Sequence, residues 1–131
     1  MPSVQTLQHQ LRRAGAPASV RLLHRRDLLP LTTVVASDEQ ILDAALGTYQ
    51  GRHSIVLITD RRCVVASGPP QRPAVTFVPF AAIRSVSATA EFLVGSLTLH
   101  LAEGELTISE VSPGGYTTRI ASHIAAQAPP A

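Results

Sequence analysis

The stretch SLTLHLAEGELTISEV, residues 96–111, constrains the fold more than any other part of the chain. Leu97, Leu99 and Leu101 alternate with polar residues, Leu106 and Ile108 answer them, and Glu103-Gly104 supplies a turn between the two runs. Because the side-chain period of a strand is two, a one-residue slip would carry every leucine to the wrong face. The pattern therefore predicts an antiparallel hairpin of fixed register. Upstream, further runs of strand length follow at close intervals: HSIVLITD, then RCVVAS, then AVTFVPF with Pro79 near its end, then IRSVSATAEF. The interval between the first two is so short that only a tight turn can join them. GPPQRP breaks the chain before the third, since its prolines cannot sit inside a sheet ladder. Pro113-Gly114-Gly115 stops the last strand, and Tyr116, Ile120 and Ile124 form a stripe at i, i+4, i+8 on a closing helix.

The first thirty residues read differently. Val4, Leu7 and Leu11 recur at helical spacing up to Gly15, and a second helical segment is expected from Pro17 to Pro30 with Val20, Leu23 and Leu28 on its apolar side. Residues 1–30 are thus a helical arm and residues 31–131 the main domain. Between them, Ser37 and Gln40 have the spacing of a capping box and could start a helix through ILDAAL. The β-rich sequence that follows argues instead for a strand ending at Tyr49.

Charge divides the chain at nearly the same place. Residues 1–26 hold Arg12, Arg13, Arg21, Arg25 and Arg26 with no acid, giving +5, while residues 27–131 hold six Arg against nine acids, giving −3. A hydrophobic fraction of 45% with only 15% charged residues excludes a disordered chain, and 131 residues suit one core. The absence of Lys reads as base-composition bias in the genome. One cysteine excludes an internal disulfide framework and suits a reducing compartment. The opening MPSVQTLQHQLRRAG lacks the apolar run of a signal peptide, and no window approaches a membrane span, so the expected location is cytoplasmic.

Seven short antiparallel strands followed by one amphipathic helix resemble the bacterial pleckstrin-homology (PH) domains of the YokE type. The resemblance is carried by GTYQGRHSIVLITDRRCVVA, by VPFAAIRSV, and by the SLTLHL and ELTISEV pair before the last helix, and it covers roughly residues 38–127. It implies a strongly bent two-sheet β barrel with the C-terminal helix plugging one end.

Within that frame, TDRRC (residues 59–63) reads as a turn rather than a chemical site. Asp60 can bond its own downstream backbone and Thr59 can add a second local bond. Cys63 then falls in a strand, as a small hydrophobe, with Arg62 on the opposite face. His9, His24, His53, His100 and His123 show no metal-ligand spacing, and no phosphate loop or nucleophile elbow occurs. His100 is expected on the sheet face opposite the leucines, and His123 beside solvent. No catalytic residue, metal or cofactor is expected.

Two binding readings remain. PH-like barrels that take phosphoinositides do so at the open end, where this chain would offer Arg52 and His53 from the first hairpin and Arg72 from the Pro-rich loop. Glu103 and Glu105 would stand beside them, a poor balance for a multiply charged phosphate. The reading placed first is a protein-binding or self-associating module whose partner meets Arg12, Arg13, Arg21, Arg25 and Arg26 of the arm. The arm is expected to dock on the barrel through Val4, Leu7, Leu11, Leu22 and Leu23. Anionic lipid contact comes second. Nucleic acid comes last, because the arm has no row of base-reading side chains.

Overall fold

The computed structural model describes residues 2–21, 23, 25–68 and 73–127, with only the backbone of Arg25. The arm holds α1 (Val4–Arg13), two single turns α2 (Ala18–Arg21) and α3 (Arg25–Leu28), and a 3-10 turn over Leu29–Thr33. Seven strands follow: β1 (Ile41–Tyr49), β2 (Arg52–Thr59), β3 (Arg62–Ser67), β4 (Ala74–Pro79), β5 (Ile83–Ala90), β6 (Gly95–Leu101) and β7 (Gly104–Ser112). α4 (Gly115–Gln127) closes the described chain. The strands form one bent antiparallel sheet in the order β4-β3-β2-β1-β7-β6-β5.

Two expectations are refined, those for the second helical segment and for the β6–β7 turn, and the choice at ILDAAL is decided. The second helical segment is not one helix: it breaks into short turns whose residues Val20, Leu28 and Leu31 are buried, and Pro30 cannot continue an α-helix through its own position. ILDAAL is strand, as the β-rich sequence after it argued, and Ile41, Asp43, Ala44 and Ala45 are buried on both faces of the sheet. Ser37 heads no capping box. Instead the chain reverses over residues 36–39, where Glu39 N donates to Ala36 O at 3.1 Å. In the β6–β7 hairpin the residues between the strands are Ala102 and Glu103, since Leu101 pairs with Gly104. The leucine register itself is as read: Leu97 faces Ile108, and Leu99 faces Leu106.

The sheet has a core on each side. Its concave side encloses Val56, Ile58, Cys63, Val65, Leu97, Leu99 and Ile108 together with Ile120 and Ile124 of α4. Its convex side, over β1 to β3, presents Ile41, Ala44, Ile55, Leu57 and Val64, and the arm covers them with Val4, Leu7, Leu11, Val20, Leu28 and Leu31. This is why HSIVLITD is an unbroken apolar run. Every residue from Ser54 to Thr59 is buried, alternately against the barrel interior and against the arm. β1 bends from one half of the sheet to the other at Gly47, where a Cβ would stand 2.7 Å from Ile108 Cγ2. The register with β7 shifts between Leu46 and Thr48 at the same place.

On α4 the buried stripe is Thr117, Ile120 and Ile124. Tyr116 lies on its flank and turns to the arm, its hydroxyl donating to Gly15 O at 3.0 Å. No helix among the described residues is long and apolar enough to cross a membrane.

Candidate functional site

The TDRR turn is built as a hairpin and carries a buried ion pair. Thr59 Oγ1 accepts from the backbone N–H groups of Arg61 and Arg62, both at 3.1 Å, and donates to Glu39 Oε2 at 2.6 Å. Asp60 does not bond downstream. Its carboxylate accepts from Gln40 N at 3.0 Å, and Asp60 N donates to Gln40 O at 2.9 Å, which ties the turn to the entry of β1. Arg62 leaves the strand on the face opposite Cys63, donates twice to Glu39 and once to Val34 O at 2.8 Å, and lies 4.3 Å over the Phe77 ring. Burial by itself would raise the Glu39 pKa. The hydrogen bonds from Arg62, Thr59 and Ala36 N–H, with the Arg62 charge, outweigh it and hold the carboxyl at about 2. Burial pushes the Cys63 thiol up to about 12, so no thiolate forms near neutral pH.

A second anchor holds the arm. Arg119 of α4 donates Nη1 to Gly15 O at 3.0 Å and Nη2 to Ala14 O, so its guanidinium binds the carbonyls just past the C-terminus of α1. Its Nε sits 3.0 Å from Asp43 Oδ2 in a charge contact without hydrogen-bond alignment, and His123 Nε2 lies 3.6 Å from the same oxygen. The Asp43 side chain is fully buried, and burial raises its pKa, with Ala44 N–H, Arg119 and His123 only partly offsetting that effect. His123, read as a solvent neighbour, therefore faces a buried acid. Gln10 adds a third tie, its Oε1 accepting from Ile41 N at 3.0 Å.

With its apolar side occupied, the arm turns its arginines outward. Arg12, Arg13, Arg21 and Arg26 are exposed, and Arg21 donates Nε to Ala16 O at 2.9 Å. The side chain of Arg25 and all of Leu22 lie outside the described residues. Leu23 is half-buried at the edge of the arm cluster.

At the other candidate site, Arg52 and His53 are both exposed but, as consecutive strand residues, line different grooves. Arg52 lies with Tyr49, Gln50, Ala74 and Thr76, whereas His53 lies with Leu23, Asp27 and Leu31 of the arm. Arg72 is outside the described residues. Glu103 and Glu105 border a third groove with Tyr49, Phe77 and Leu106. His100 stands on the sheet surface between Ser87 at 3.0 Å and Glu105 at 3.2 Å.

Comparison with solved structures places this geometry. A DUF1696 family protein with a pleckstrin-homology domain from Shewanella loihica PV-4 superposes with a TM-score of 0.53 at 17% identity, over 74% of this chain and 92% of its own. The fold is PH-like. The hSac2 domain from the human phosphoinositide phosphatase Sac2 superposes with a TM-score of 0.50 at 14% identity, over 97% of this chain and 84% of its own. Identities this low show the PH-like fold and nothing finer. No protein-family model and no curated protein matches the sequence.

Sequence reading missed Glu39, Asp43 and Arg119 as organising residues of the PH-like unit. Asp43 had one signal, an acid inside the apolar run ILDAAL. Glu39 and Arg119 had none, because their partners are distant in sequence.

Proposed function

We propose that the chain is a non-catalytic, cytoplasmic PH-like interaction module of the bacterial YokE type. Residues 1–30 form its recognition arm, residues 31–131 its PH-like unit, and an acidic protein surface its target. One observation carries the reading. Arg12, Arg13 and Arg26 stand exposed with no ion-pair partner among the described residues, on an arm whose apolar side is already buried. Folding requires the buried side and gives no reason for clustered arginines, which repel one another. An acidic surface relieves that repulsion and gains charge-assisted hydrogen bonds. The non-catalytic part of the reading is supported by the enclosed Cys63 and by His123, which faces the buried Asp43 rather than a nucleophile.

Lipid contact at the open end is the weaker reading, since Arg52 and His53 diverge and two carboxylates stand at the neighbouring groove. The two are separated by comparing full-length protein with an Arg12→Ser, Arg13→Ser, Arg26→Ser variant and with Arg52→Ala. Loss of captured native proteins in the arm variant, with Arg52→Ala unchanged, supports the arm. Strong retention on phosphoinositide vesicles that depends on Arg52 would replace it with the lipid reading.

A further inference from the structure

β5 ends the strand order and pairs with β6 alone, so its other edge has no strand beside it. α4 packs next to it without covering it, and Ser85, Ser87, Ala88, Thr89 and Ala90 are all exposed. An open edge is a template for another strand, which proteins ordinarily guard with charge, proline or a bulge. β4, at the opposite end of the order, is guarded: Pro73 precedes it and Pro79 ends it. β5 is not. From Ser85 to Ala90 it has neither charge nor proline, and its pairing with β6 runs without a bulge over those residues.

Its charges stand at its two ends. Arg84 precedes the neutral run and Glu91 follows it; both are exposed, and neither has an ion-pair partner among the described residues. Beyond them lie apolar groups that the fold leaves open. After Glu91, Phe92 is 94% exposed and Leu93 71%, and before β5 the 3-10 turn Phe80–Ala82 exposes Ala81 and Ala82. The backbone of the Phe92 turn is tied down, with Glu91 N donating to Val94 O at 3.2 Å and Gly114 N donating to Leu93 O at 3.1 Å. A strand positive at one end, negative at the other and neutral between is complementary to a second copy of itself run in the opposite direction. Parallel pairing would set Arg84 against Arg84 and Glu91 against Glu91.

We infer that two copies of the chain join β5 to β5, antiparallel about a two-fold axis at Ser87, and so continue one sheet across both molecules. Ser85 then faces Thr89 of the second copy, Val86 faces Ala88, and Arg84 lies beside Glu91. The same pairing carries Phe92 and Leu93 toward Ala81 and Ala82 of the second copy, which covers apolar surface on both. The arm lies over β1 to β3, away from this edge, so the contact goes beyond the arm reading and leaves both arms available.

Sedimentation velocity of the full-length protein over a wide concentration range tests the contact, with amide exchange of residues 84–90 as the local readout. A dimer is expected, and those amides should exchange more slowly as concentration rises. Arg84→Glu and Glu91→Arg each bring like charges together at two symmetric places and should weaken association about tenfold. Their combination restores opposite signs and should recover most of it. Phe92→Ser with Leu93→Ser should weaken association by a similar factor. All four positions are exposed, and an unchanged circular dichroism spectrum confirms that each variant folds. A protein monomeric at every concentration overturns the inference. So does a dimer that the single charge reversals leave intact, that the double reversal fails to recover, or whose β5 amides gain no protection.

Discussion

Arg62 holds Glu39 with two hydrogen bonds, Nε to Oε2 at 3.0 Å and Nη2 to Oε1 at 2.9 Å, so a hairpin turn and the segment entering β1 share one charge pair. The Glu39 side chain is fully buried and that of Arg62 is 27% exposed. Removing either partner leaves the other charge uncompensated. Arg62→Met and Glu39→Gln should each lower stability by about 3–5 kcal/mol, with Arg62→Met, which strands the carboxylate, at the upper end. The double variant should lose clearly less than the sum. Urea denaturation of all four proteins measures the coupling, and strict additivity would show the pair to be independent.

The same pair sets an acid limit. Glu39 is held at about 2, below its ordinary value of 4.5, so its contribution is fully present above pH 4.5 and is lost as pH falls toward 2. Linkage makes this roughly 3 kcal/mol. Asp43 works in the opposite sense: its raised pKa means that the folded protein gains relative stability when that carboxyl protonates. Denaturation midpoints measured from pH 7 to pH 3 should therefore fall for the wild type and fall less for Glu39→Gln. An equal fall in both would remove Glu39 as the cause.

Arg119 is expected to be the hinge pin of the arm. Arg119→Met breaks the cap on Ala14 and Gly15 and strips a buried Asp43 of its nearest cation. Amide exchange over residues 4–13 should accelerate while β6 and β7 stay protected. Adding Asp43→Asn to Arg119→Met should recover part of the loss by removing the stranded charge. Unchanged protection of α1 would show that its apolar face alone holds it.

Deleting residues 1–30 should not leave a well-behaved barrel. The deletion uncovers Ile41, Ile55, Leu57 and Val64 on one continuous face, an apolar patch of the kind that drives association. Aggregation or strong binding of a hydrophobic dye is the expected result. A monodisperse truncated protein with native stability would show the arm to be dispensable to the fold.

The β6–β7 hairpin offers a control on faces. Leu99 is fully buried, whereas Thr98 is partly open and its hydroxyl meets that of Thr107 at 3.1 Å. Leu99→Asp should unfold the protein, since a core carboxylate without a partner costs several kcal/mol, and Thr98→Asp should cost about 1 kcal/mol or less. Thermal melts distinguish them, and comparable damage at both positions would contradict the observed faces.

What the sequence determined by itself were the features set by local period and local chemistry. Alternation over residues 96–111 fixed the faces and the register of a hairpin, TDRR required a turn, three prolines interrupted the sheet, and helical spacing of Val4, Leu7 and Leu11 marked a helix with one apolar side. Local signals were weakest where two periods competed. Before ILDAAL the capping-box spacing of Ser37 and Gln40 pointed to a helix while the β-rich sequence after it pointed to a strand, and burial between two layers decided for the strand. The tertiary structure alone decided which distant groups meet. Glu39 finds Arg62 across the β2–β3 turn, Asp43 finds Arg119 at the far end of the chain, and Arg52 parts from His53 because neighbours on a strand face opposite sides. It also decided what the apolar run of β2 is for. A strand buried on both faces needs a second cover, and no property of that run says which part of the chain supplies it; the arm does, and Arg12, Arg13, Arg21 and Arg26 face outward as a consequence.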